Sequence, residues 1–99
     1  MSDIKDLLRE AIASIERTTG LFYQQNTREG YTNLEQTLGS LSQLADLINT
    51  ADSIDKDSLF ISHFNDILKE ALQALEQSDT ILFSDILQYS LKELLESEL

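Results

Sequence analysis

The chain has 99 residues with 18 acidic and 7 basic side chains, a net charge of −11, and no cysteine, proline or valine. Disulfides and thiolate metal sites are therefore excluded, and no clustered lysines or arginines exist to hold a phosphate backbone or an anionic membrane. The excess is uneven: residues 1–50 carry 7 acids and 4 bases, residues 51–99 carry 11 and 3. A chain of this length makes one domain, residues 1–99, able to bury one modest core.

The spacing predicts a first helix that starts after Ser2, a capping hydroxyl, and runs to about Gln25. Ile4, Leu7, Leu8, Ala11, Ile12 and Ile15 make one face of a 3.6-residue period, continued more weakly by Thr19, Phe22 and Tyr23. Residues 26–30 read as the first turn, with Thr27 available as an N-cap; helices one and two kinked around Gly20 or Gly30 are the alternative. The second helix shows Tyr31, Leu34, Leu38, Leu41, Leu44, Ala45, Ile48 and Ala51, with Gly39 off the stripe, where a close neighbour would exploit its missing side chain.

Residues 50–57, rich in Asp and Ser, read as a loop, with Asp57 or Ser58 capping the third helix. That helix carries Phe60, Ile61, Phe64, Ile67, Leu68, Ala71, Leu72 and Leu75. Residues 76–79 are a tight connection with Ser78 or Asp79 as the next N-cap. The fourth helix carries Leu82, Phe83, Ile86, Leu87, Leu91, Leu94 and Leu95 and frays near Leu99. Short loops force neighbouring helices antiparallel, so the expected fold is all-α, an up-down-up-down four-helix bundle.

Catalytic and metal-binding patterns fail one by one. His63 is the single histidine. A phosphotransfer domain would place a lysine and then a small residue one turn further on. Here Asp66 and Ile67 stand there, Asp66 would repel a phosphoryl group, and Lys69 is too distant. A di-metal bundle needs two Glu-x-x-His pairs. Asp52, Asp55 and Asp57 lack the central glycine and distal glutamate of a calcium loop. No Gly-x-Ser-x-Gly turn or glycine-rich phosphate loop occurs. Glu93 and Glu96 lie where nothing would desolvate them. The chain reads as non-enzymatic, with no cofactor and no metal.

The informative feature is an apolar surplus. Leu59-Phe60-Ile61 and Ile81-Leu82-Phe83 cannot all face one core, because a helix turns about 100° per residue. Some of Leu59, Ile61, Ile81 and Phe83 must sit at the edge or outside. Phe22, Tyr23 and Tyr31 add aromatics near the first turn, and Tyr89 lies opposite Leu91. Phe22, Tyr23, Tyr31, Phe60, Phe83 and Tyr89 are the candidate protein-binding residues.

Residues 30–97 contain "GYTNLEQTLGSLSQLADLI" and "FNDILKEALQALEQSDTILFSDILQYSLKELL", with Asp79, Asp85, Ile86, Leu87, Tyr89 and Leu91 in the last two elements. This pattern resembles a set of short, acidic, uncharacterised helical-bundle proteins of Gram-positive bacteria. It departs from them where Lys92-Glu93 continues the helix in place of a proline. In size, acidity and helix content the chain also looks like the flagellar export chaperones, small bundles that hold the apolar tail of a secreted subunit. The resemblance implies a cytoplasmic bundle that binds protein.

Three readings stand at this point. The first is a small cytoplasmic adaptor or chaperone-like binder, docking an amphipathic partner helix between its own helices. The second is a self-associating homodimer that covers the apolar surplus. The third is phosphotransfer through His63. The acidic second half also leaves DNA mimicry open. No basic leader and no apolar run of the ~20 residues that cross a bilayer occur, so cytoplasmic location is the expectation and a nucleic-acid or membrane partner is not.

Overall fold

The computed structural model describes residues 4–50 and 59–99. They form four helices. The first, α1, is Ile4–Tyr23, α2 is Thr27–Thr50 and α3 is Leu59–Glu76. Three further pieces, Thr80–Asp85, Ile86–Leu91 and Lys92–Glu96, follow one another without a break and make one rod, α4, residues 80–96. No strand occurs among the described residues. The expected loop at 50–57 and the caps Asp57 and Ser58 lie outside the described residues, apart from Thr50, the last residue of α2.

The two described turns follow one plan. Gln25 and Ser78 both take a left-handed backbone, with φ of 62° and 60°. In the first turn the amides of Gln25 and Asn26 reach back to the carbonyls of Phe22 and Leu21, at 3.0 and 2.8 Å. In the second, those of Ser78 and Asp79 reach Leu75 and Ala74, at 2.9 and 3.0 Å. Both are Schellman closures, which satisfy the last carbonyls of the preceding helix. The next residue then opens the following helix. Asp79 accepts from the Leu82 amide at 3.0 Å, and the Asn26 carbonyl accepts from the Gly30 amide at 2.9 Å. The first turn is thus three residues long and Gly30 lies inside α2, so residues 26–30 are not the bend that was expected. Neither α1 nor α2 breaks at Gly20 or Gly30.

Helix directions follow from cross-helix pairs. Ser14 meets Thr37 while Phe22 meets Tyr31, so α1 and α2 are antiparallel. Glu16 pairs with Lys92, Thr19 with Gln88 and Tyr23 with Asp85, so α1 and α4 are antiparallel as well. The three-residue turn makes α3 and α4 antiparallel. The result is up-down-up-down, with α1 packed on α2 and α4, and α4 on α3. The short dimension of 18 Å is two helices deep.

One core joins all four helices: Leu8, Ala11, Ile12, Ile15 and Phe22 from α1, Leu34, Leu41 and Leu44 from α2, Phe64, Ala71 and Ala74 from α3, and Phe83, Leu87, Leu91 and Leu95 from α4. The α1–α2 seam departs from this apolar pattern. Ser14, Thr18 and Thr37 are buried there, and the Thr37 hydroxyl stands 2.6 Å from that of Ser14 and 2.7 Å from that of Thr18. Thr18 donates to Asn33 Oδ1 at 2.9 Å. Small side chains let the two backbones approach, and mutual hydrogen bonds remove the cost of burying the hydroxyls. Gly30 serves the same seam: a Cβ there would stand 2.7 Å from the Phe22 ring. Gly39, expected to meet a close neighbour, has nothing within 4 Å of its Cβ position.

A π-helical segment lies in the middle of α4. The Lys92 amide bonds to the Leu87 carbonyl, five residues back. The spacing of the buried residues explains it. Phe83, Leu87, Leu91 and Leu95 recur every four residues, and at 100° per residue each such step drifts about 40° around an α-helix. A wider turn takes the drift back, so that all four stay on the core side.

Candidate protein-docking groove

The sequence-predicted residues divide by burial. Phe22 and Phe83 are core residues, 2% and 1% exposed, with ring centroids 6.1 Å apart in an edge-to-face pair. They have no surface to offer a partner, and as docking residues they are a correction: the runs that contain them turn other members outward. Phe60 is half-buried and stacks on Phe64 at 6.2 Å. Tyr31 packs edge-on against Phe22 at 5.3 Å and keeps its other side in solvent. Tyr23 and Tyr89 are the most useful pair, 40% and 66% exposed. Of the apolar surplus, Ile81 and Leu82 point outward, with Leu72 on α3. Tyr23, Tyr31, Leu72, Ile81 and Leu82 thus gather around the end of the bundle that carries the two turns.

Tyr23 and Tyr89 meet on a shallow groove of about 280 Å³ between α1 and the π-helical part of α4, lined also by Glu16, Thr19, Gly20, Gln88 and Lys92. Three cross-helix contacts form its floor and walls. Lys92 Nζ lies 3.2 Å from Glu16 Oε1. The Thr19 hydroxyl stands 3.2 Å from Gln88 Oε1 and 2.9 Å from the Ile15 carbonyl, with one proton to serve them. Tyr23 donates its hydroxyl to Asp85 Oδ1. Partial burial, that hydrogen bond and the negative charge of Asp85 together hold the Tyr23 phenol protonated well beyond the ordinary tyrosine range. Gly20 opens the groove on its far side, where a second depression of about 310 Å³ runs toward Asn33 on α2.

This surface is amphipathic and shallow. Two tyrosines supply broad apolar faces with polar tips, the composition that protein interfaces favour. Its charged groups are the Lys92–Glu16 pair, half-buried at the lysine, and beside it the Tyr23–Asp85 bond. His63 is exposed on α3, with Asp66 and Lys69 exposed beside it. Among the described residues no three His, Asp or Glu side chains come together as metal ligands, and no helix is long and apolar enough to cross a membrane.

The sequence reading missed the groove's polar members, Thr19, Gln88, Asp85 and Lys92. The signal for it was the four-residue spacing from Phe83 to Leu95, which marks the wide turn that carries Gln88 and Tyr89.

Fold and surface define a small acidic four-helix bundle with an aromatic groove at a π turn. The chain belongs to the family described as Domain of unknown function (DUF8042), which matches residues 1–97. No curated protein and no solved structure matches it.

Proposed function

We propose that the chain is a non-enzymatic protein-binding module, a small adaptor or chaperone-like bundle of the bacterial cytoplasm. It takes an amphipathic helix of a partner protein across the α1–α4 groove. The observation that carries this reading is the pairing of Tyr23 and Tyr89, both solvent-exposed, on one groove beside a π turn. Exposed aromatic side chains gain most from being covered, and π turns recur at functional positions. The outward Ile81 lies one turn before Asp85 on α4. The likeness to flagellar export chaperones gives the reading its form: a bundle that shields an apolar segment of another protein.

The test is capture from lysate with the full chain as bait, read by mass spectrometry. A stoichiometric partner is expected, lost from a Tyr23→Ser, Tyr89→Ser bait whose circular dichroism is unchanged. Capture of no partner, or equal capture by both baits, overturns the assignment of this groove.

A further inference from the structure

The outward face of α1 carries a charge pattern of which the docking groove uses only Glu16. Within Ile4–Tyr23 there are three acids, Asp6, Glu10 and Glu16, and three bases, Lys5, Arg9 and Arg17. Each of the other three helices carries three acids and one base. In a chain of net charge −11, α1 is therefore the one neutral helix.

The order of these charges is self-complementary. Arg9 and Glu16 are seven residues apart, two turns, and so lie on one flank of the outer face; Glu10 and Arg17, also seven apart, lie on the other. Ala13 is exposed on the ridge between them. A two-fold axis through Ala13 lays a second α1 antiparallel over the first. Arg9 of one copy then comes beside Glu16 of the other, and Glu10 beside Arg17, each pair within one residue of the same level and each made twice. A parallel two-fold pairing exchanges the flanks and sets Arg9 beside Glu10 and Glu16 beside Arg17 of the other copy, so opposite charges meet in that direction as well. Glu10 and Arg17 have no ion-pair partner among the described residues. Arg9 holds only Asp6, at 3.5 Å in full exposure, and Glu16 holds Lys92 while its side chain stays 52% exposed.

We propose that this face of α1 is an interface with a second copy of the chain, a two-fold pairing centred on Ala13. This face offers four ion pairs around a small residue that lets the backbones close. The face shares Glu16 with the tyrosine groove but is centred elsewhere. Its centre is ten residues, about 15 Å, along α1 from Tyr23.

Sedimentation equilibrium of the full chain tests it at micromolar concentration and low salt. Wild type is expected at twice its 11.2 kDa mass, shifting toward the monomer as salt is raised. An all-acid face, Arg9→Glu with Arg17→Glu, and an all-basic face, Glu10→Arg with Glu16→Arg, should each sediment as monomers, with helicity unchanged by circular dichroism. An equimolar mixture of the two should restore the doubled mass. A wild-type monomer, dimeric single-sign variants, or a mixture that stays monomeric would each overturn the proposal. Sedimentation of the purified chain reads self-association with no partner present, so its failure and the failure of capture through Tyr23 and Tyr89 are distinguishable.

Discussion

Gly30 lies so close under the ring of Phe22 that a methyl group on its α-carbon would stand 2.7 Å from two ring carbons. The contact fixes how near α2 approaches α1, and it sets steric cost against helix propensity. Alanine is ordinarily better than glycine inside a helix by about 1 kcal/mol. Phe22 is 2% exposed and held between Tyr31 and Phe83, so its ring has nowhere to retreat. Gly30→Ala should therefore destabilise by about 1–3 kcal/mol in urea denaturation, the usual range for overpacking. Phe22→Leu should relieve part of that loss when combined with it. Gly20→Ala and Gly39→Ala, where the new methyl meets nothing within 4 Å, should instead gain about 0.5–1 kcal/mol. A stabilised Gly30→Ala would show that the seam is looser than the structure has it.

The left-handed residues at the two turns give a prediction of opposite sign. Gln25 and Ser78 carry side chains in a region that costs a non-glycine residue roughly 1 kcal/mol. Gln25→Gly and Ser78→Gly should each raise the melting temperature, with a net gain of about 0.5 kcal/mol after the added freedom of the unfolded chain is subtracted. The sites are far apart, so the double variant should show the sum. A lowered melting temperature in either would mean that the side chain contributes contacts outweighing the backbone cost.

The hydroxyl cluster of the α1–α2 seam should behave as a unit. Thr37 is fully buried and serves both Ser14 and Thr18. Thr37→Val keeps the shape but strands the Ser14 hydroxyl and leaves Thr18 only its bond to Asn33, at a cost of about 1–3 kcal/mol. Replacing all three, Ser14→Ala, Thr18→Val and Thr37→Val, removes donors and acceptors together and should recover most of it. If the triple variant is weaker than the single one by the sum of separate losses, the cluster is not coupled.

High pH should loosen the bundle through Tyr23. Its phenol is held protonated first by partial burial, then by the hydrogen bond to Asp85, then by the charges of Asp85 and nearby Tyr89. The folded state thus keeps a proton that the unfolded chain releases near the ordinary tyrosine value of about 10. The associated stability is complete below that value and is lost as pH rises through it toward the folded-state value. Urea midpoints measured from about pH 8 to about pH 11 should fall in wild type and flatten in Tyr23→Phe. An unchanged slope in that variant would assign the loss to other groups.

Much of the bundle was legible in the leucine spacing, because burying an apolar stripe contributes most to folding and shows directly as a three-to-four period. Helix count follows from it; of the two caps offered, Ser78 and Asp79, the structure takes Asp79, and of the surplus residues Ile81 turns outward while Phe83 is core. Ser14, Thr18 and Thr37 were not legible, because one chain of letters cannot show that three hydroxyls will satisfy one another across a seam. The first turn was misplaced for a related reason. No glycine marks its left-handed residue, so Gly30 attracted the turn that Gln25 makes. Among the candidate site residues, Tyr23 stood out as an aromatic near the first turn and Tyr89 as the residue opposite Leu91, and both are exposed. Phe22 and Phe83 misled because aromatic character alone does not separate a core ring from an interface ring.

The π turn in α4 makes the last test, since the four-residue spacing and the wide turn should be cause and effect. Deleting the exposed Ser90 shortens the step from Leu87 to Leu91 to three residues, which a regular α-helix accommodates without rotating either leucine out of the core. That variant should fold as one continuous α-helical rod, with stability within about 1 kcal/mol of wild type, because a regular turn replaces a strained one. The control is deletion of Gln73, equally exposed but within the regular helix α3. There the missing residue swings Ala74 and Leu75 about 100° away from the core, and the loss should reach several kcal/mol. Thermal melts followed by circular dichroism compare the two. If both deletions unfold the bundle alike, the wide turn is held in place by something other than the spacing of Phe83, Leu87, Leu91 and Leu95. If only the Gln73 deletion does, capture of a partner by the Ser90 deletion then reads out whether Tyr89 needs the π turn to meet it.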